Sequence, residues 1–93
     1  MRVTFDPAKD ELNRAKHGVS LALADELEWD VMLSWPDQKR EYGEPRMVGL
    51  APLGSRLHCV VFVDRSAARP TERRIVSLRK ANIREVKRYA AIP

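Results

Sequence analysis

The stretch Arg46-Met-Val-Gly-Leu-Ala-Pro-Leu-Gly54-Ser55-Arg-Leu-His-Cys-Val-Val-Phe-Val-Asp64 decides the fold. Two β-rich runs, Arg46 to Leu53 and Arg56 to Asp64, flank a Gly-X pair that suits a two-residue type II′ turn, so they predict a β-hairpin. In the second run Leu57, Cys59, Val61 and Val63 alternate with His58, Val60 and Phe62, which makes both faces mostly apolar. A strand of that kind belongs in the middle of a covered sheet.

Working outward, Arg2 to Phe5 reads as a short strand. Asp6 then caps a helix from Pro7 to about His17, with proline at the first helical position and Gly18 as its left-handed stop. Ala8, Leu12 and Ala15 follow helical spacing and predict its core stripe, while Lys9, Asn13 and Lys16 share another face. Ser20 suits the cap of a second helix to about Glu28, with Leu21, Leu23, Ala24 and Leu27 inward. Val31 to Trp35 reads as a strand, Pro36 to Pro45 as a polar loop, and Glu72 to Arg79 as a last strand after the loop from Arg65 to Thr71. Asn82 and Glu85 have the spacing of a capping box, which opens a final helix to about Ala91 with Ile83, Val86 and Ala90 inward. The predicted class is α+β, in the order β-α-α-β-β-β-β-α, with a mostly antiparallel sheet in a single domain over residues 1–93.

The charge is unevenly spread. Residues 1–64 hold 8 Lys+Arg against 11 Asp+Glu, a balance of −3, whereas residues 65–93 hold 9 against 2, a balance of +7. Seven of those nine cations are arginine, whose planar donors suit phosphate, so the final third points to a polyanion, nucleic acid first, or to an acidic partner. The longest apolar run, Cys59 to Val63, is far too short to span a bilayer, and early acidic residues do not suit a targeting peptide. A cytoplasmic protein is expected, with the single Cys59 as a small core residue.

Neither a phosphate-binding glycine loop nor a nucleophile elbow is present. His58 and Cys59 are adjacent on a strand and His17 is distant, so no metal site and no cofactor is expected. What remains is a set of cations with a few acid–base groups, which is enough to cleave RNA. The ribose 2′-hydroxyl is a built-in nucleophile that needs alignment, a proton acceptor and charge stabilisation. His17, Glu44 and Glu85 are the acid–base candidates; Lys16, Arg46, Arg65, Arg74, Arg79 and Lys80 are the cationic ones. Each has a plainer reading. His17 can close its helix by donating to terminal carbonyls, Lys9 and Lys16 can be a solvated face, and Glu44 can form a surface salt bridge. Tyr42 and Tyr89 can stack on a base or simply pack, and Trp29 and Trp35 suit core or interface anchors. Strict alternation puts Arg74 and Arg79 on opposite faces unless the strand bulges, so Arg79, with Ser77 and Ile75, is the candidate for phosphate.

Phe5-Asp6, Lys9, Asn13, Lys16-His17-Gly18-Val19-Ser20, Gly43-Glu44-x-Arg46, Gly49, Arg74-Ile75-Val76-Ser77-x-Arg79-Lys80-Ala81, Glu85 and Tyr89 together resemble the BrnT family of bacterial toxins over nearly the whole chain. Phe5 departs from the tryptophan common at its place and Leu78 from a small residue, both matters of packing; the loop around Ala67, Ala68 and Pro70 is longer than usual. The resemblance implies a RelE-like fold and a metal-independent endoribonuclease that blocks translation and is neutralised by a BrnA-type antitoxin. It also implies a 2:2 toxin–antitoxin complex that meets operator DNA only through the antitoxin. On this reading His17, Glu44, Arg46 and Arg79 carry catalysis, and Lys9, Lys16, Arg65, Arg74, Lys80 and Tyr89 bind RNA. The alternative is a small basic domain that binds nucleic acid or a partner without catalysis.

Overall fold

The computed structural model describes residues 2–37, 44–65 and 71–91. Tyr42, Gly43 and the loop carrying Ala67, Ala68 and Pro70 lie outside them. Its elements are β1 (Arg2–Phe5), α1 (Pro7–His17), two 3-10 segments (Leu21–Glu26 and Trp29–Val31), β2 (Leu33–Pro36), β3 (Met47–Leu53), β4 (Arg56–Arg65), β5 (Glu72–Lys80) and α2 (Ile83–Ala90).

The expected hairpin forms. Leu53 pairs with Arg56 across Gly54-Ser55, and Gly54 takes φ +60°, as the first central residue of a tight hairpin turn requires. The sheet order is β1-β5-β4-β3-β2, which puts β4 in the centre as its doubly apolar pattern requires. The sheet is mixed rather than mostly antiparallel. β1 runs parallel to β5, with Arg2 beside Glu72 and Phe5 beside Ile75, while the other three pairings are antiparallel. A parallel pair needs a long crossover, and here nearly the whole chain supplies it.

Capping chemistry appears where the sequence placed it. Asp6 Oδ1 accepts from Ala8 N at 2.9 Å, and Gly18 ends α1 at φ +71°. Ser20 Oγ accepts from Ala22 N at 3.2 Å, and Asn82 and Glu85 form a reciprocal capping box. The second helix, however, is a 3-10 segment that ends at Glu26 and is followed by another at Trp29–Val31. Its Leu21, Ala24 and Leu27 still point inward as expected, joining Val19, Ala51, Val60, Phe62, Ile75 and Leu78 in the main core; Leu23 is exposed.

The apolar stripes expected on the two α-helices do not face the core. Ala8 and Ala15 are exposed and Leu12 is 70% exposed, whereas the polar Asn13 is buried at 6%. The reason is where α1 sits. β1 stops at Phe5 beside Ile75, so the rest of β5 has a free edge, and Asn13 fills it: its Nδ2 donates to the Leu78 and Val19 carbonyls at 2.8 Å each, and its Oδ1 accepts from Leu78 N at 3.2 Å. The side-chain amide does what a neighbouring strand would do. On α2, Ile83 is 67% exposed, and Val86 and Ala90 also face out, because polar contacts through Glu85, Arg88 and Tyr89 set the rotation of that helix.

Candidate active site

The side chains of interest are placed by one irregularity. Val61 pairs with Ser77 but the next residue, Phe62, pairs with Ile75, so Val76 is an extra residue, a β-bulge. Alternation restarts across it. Ile75 and Leu78 both enter the main core, so Ile75 does not share a face with Arg79. Arg74, opposite Val63, and Arg79, opposite Cys59, fall on the same face, that of α2. The bulge is the condition under which both arginines can serve one surface.

At one end of that face a cavity of about 350 Å³ is lined by Trp35, Pro36, Asp37, Val48, Cys59, Val61, Ser77, Arg79 and Glu85. Arg79 and Glu85 form a bidentate pair, Nη1 to Oε1 at 2.7 Å and Nη2 to Oε2 at 2.9 Å. This hydrogen bonding holds the Glu85 carboxyl below, and the Arg79 guanidinium above, their ordinary values. Two further contacts hold α2 above the sheet: the Tyr89 hydroxyl donates to the Val31 carbonyl at 2.7 Å, and the Arg88 guanidinium lies 3.9 Å from the Trp35 ring centroid. Beneath them Leu50, Cys59 and Ala81 form a second, smaller apolar cluster.

A groove of about 220 Å³ between α1 and β5 is lined by Lys9, Leu12, Asn13, Lys16, His17, Val76 and Ser77. Ser77 therefore borders both cavity and groove. The His17 imidazole is pushed below its ordinary value by desolvation, then by the charges of Lys16 and Arg79. An imidazole biased towards its neutral form beside two cations is equipped to accept a proton next to an anion.

Lys9, Lys16, His17 and Arg79 are thus brought together, while Glu44, Arg65 and Arg74 lie elsewhere. Glu44 pairs with Arg65 at 3.5 Å. Arg65 lies six steps along β4 from Cys59, the partner of Arg79, about 20 Å at strand rise. Arg74 stands on the same face, one position past the core-facing Ile75, and Arg46 directly precedes β3 with its carbonyl accepting from Asp37 N at 2.8 Å. Lys80 is exposed at the end of β5, and the Tyr89 hydroxyl is engaged as described. Trp35 and Asp37 escaped the sequence reading as wall residues. Their one signal was the alternation of Leu33-Ser34-Trp35-Pro36, which sets Trp35 beside Val48. Among the described residues, no three His, Cys, Asp or Glu side chains converge as a metal site would need, and no helix is long and apolar enough to cross a membrane.

The chain is a small mixed-sheet α+β domain with an imidazole set among cations beside a sheet cavity, an arrangement whose charge suits a polyanion. The family model for the ribonuclease toxin BrnT of type II toxin-antitoxin systems matches residues 5–85, and the chain belongs to that family. The fold is similar to the 1.1 Å crystal structure of the ribonuclease toxin BrnT from Brucella abortus, with a TM-score of 0.68 at 20% identity over 88% of this chain and 97% of that one. No curated protein matches the sequence.

Proposed function

We propose that this toxin is an endoribonuclease that works without a metal and has His17 as its general base. The observation that carries the reading is the neutral-leaning imidazole of His17 beside Lys16 and Arg79, on a groove that runs into the sheet cavity at Ser77. His17 takes the proton of a ribose 2′-hydroxyl. The 2′-oxygen then attacks phosphorus as the P–O5′ bond breaks, Lys16 and Arg79 stabilise the charge that develops on the phosphoryl oxygens, and the imidazolium returns the proton to the leaving 5′-oxygen. The products are a 2′,3′-cyclic phosphate and a 5′-hydroxyl. Glu44, Arg65 and Arg74 serve as the far part of the RNA track rather than in the bond-breaking step, since Glu44 pairs with Arg65 towards the far end of β4, whereas Arg46, bonded to the cavity residue Asp37, meets RNA near the cavity. Lys80 and Tyr89 contact RNA at the near end.

On this reading the protein acts in the cytoplasm on a RelE-like plan. Cleavage blocks translation, and a BrnA-type antitoxin neutralises it in a 2:2 complex that meets operator DNA only through the antitoxin. A second reading, RNA binding without catalysis, draws support from the Arg79–Glu85 pair, which already occupies the guanidinium. End-labelled RNA incubated with antitoxin-free protein in excess EDTA separates the two. Discrete products ending in 2′,3′-cyclic phosphate, lost in His17→Ala, are expected; RNA that is bound yet stays intact would leave only the second reading.

A further inference from the structure

The cavity beside Arg79 is lined for something other than phosphate. The guanidinium on its rim shares its charge with Glu85 in a bidentate pair, so it reaches phosphate only at the side facing the groove, and Asp37 adds a second carboxylate to the lining. The interior is apolar: Val48 pairs with Val61 across β3 and β4, Trp35 pairs with Val48 from β2, and Cys59 lies on the same face. At about 350 Å³ the cavity falls in the range of small-ligand pockets, roughly 300–1,000 Å³. The cations suited to phosphate stand next door, where Lys9, Lys16 and His17 line the groove that meets the cavity at Ser77. Apolar walls with polar groups at one rim, adjoining a cationic groove, match the two halves of a nucleotide.

We propose that the cavity receives one unpaired nucleobase of the RNA, while the adjoining phosphate lies along Lys9, Lys16 and His17. The proposal rests on the reading of this chain as an RNA-cleaving toxin and gives that site a base-selecting part. The flat base packs against Val48, Val61 and Trp35, and its polar edge meets Ser77 and the charged rim. Arg88 on Trp35 keeps the indole in place from the side of α2. Choice among bases then comes from the cavity, and sequence-independent affinity from the groove.

The test is an NMR titration of the full chain with each of the four nucleoside 3′-monophosphates, and separately with inorganic phosphate. The nucleotides are expected to shift the Trp35 indole and the Val48 and Val61 methyl signals, one base more strongly than the others, whereas phosphate shifts only Lys16, His17 and Arg79. Nucleotide shifts confined to Lys16, His17 and Arg79, or no shifts at all, would overturn the proposal. In Val61→Phe, a filling change at a half-buried strand position, the nucleotide Kd is expected to rise at least tenfold with the phosphate Kd unchanged. An intact Leu78 amide signal confirms that this variant is folded, and wild-type nucleotide affinity in it would also overturn the proposal. RNA cleavage in EDTA without nucleotide shifts in the cavity removes the base site alone; nucleotide binding with uncut RNA removes the cleavage reading and leaves the site.

Discussion

Replacing Asn13 by alanine strips three hydrogen bonds from the β5 edge in one step. The lost partners are the Leu78 N–H, the Leu78 carbonyl and the Val19 carbonyl, held at 3.2, 2.8 and 2.8 Å by a side chain that is 6% exposed. A buried backbone group left unpaired costs about 1–3 kcal/mol, but water admitted along the edge can satisfy part of the set. A net loss of about 2–5 kcal/mol follows, a large fraction of the 5–15 kcal/mol typical of a domain. Urea denaturation followed by tryptophan fluorescence measures it as a lower midpoint at unchanged slope. Hydrogen exchange supplies the local signature, since the Leu78 amide should lose its protection first. Asn13→Asp should do no better than alanine, because its carboxylate would face two carbonyl oxygens. A loss below about 0.5 kcal/mol in Asn13→Ala, the range of ordinary surface changes, would refute the idea that this amide stands in for a strand.

Other consequences are as direct. Because burial and the Lys16 and Arg79 charges lower the His17 value, the acid limb of the cleavage rate should have its midpoint below about pH 6.5, and Lys16→Met should move it upward; a midpoint above that in the wild type would remove His17 as the base. The folded-state value of Glu85 is depressed by Arg79, so its contribution is complete above the unfolded carboxyl value and fades as pH falls through the folded one. Acidification should therefore loosen α2, seen as weakening of the Tyr89 contact by NMR, and Glu85→Gln should make that response flat. The pair should be worth only about 1 kcal/mol, since Arg79 is about a third exposed and solvent screens it. Leu12→Ala should change stability by less than about 0.5 kcal/mol, whereas Leu21→Ala, at a fully buried position, should cost about 2–5 kcal/mol; similar losses would show that α1 buries the leucine after all.

What the sequence disclosed depended on the kind of signal. Gly54, Gly18, Asp6 and the Asn82–Glu85 box act within a few residues of themselves, and each does so in the fold. The central position of β4 was legible because apolar residues on both faces need cover on both. Orientation of the helices was not, because it depends on partners distant in sequence. Asn13 turns α1 by bonding Leu78, and Glu85 and Tyr89 turn α2 by bonding Arg79 and Val31. In neither case does the apolar stripe decide. The bulge at Val76 was invisible for a related reason, since it exists only in the register between β4 and β5. Without it, alternation sets Arg74 against Arg79. The candidate site was accordingly legible as residue types along the chain but not as a grouping, and Glu44 in particular falls in with Arg65 instead of His17.

The position of β5 has a consequence for how the toxin is made. The strand formed last pairs on one side with the strand made first and on the other with the central strand, and it also receives Asn13 from α1. The β2–β3–β4 meander can pair without it, but β1 and α1 wait on residues 72–80, and pairings as distant in sequence as β1 with β5 close late and slowly. A chain still being synthesised has its α1 cations but no strand to face them, no Ser77 and no Arg79. The candidate site therefore cannot assemble before the β5 residues are in place.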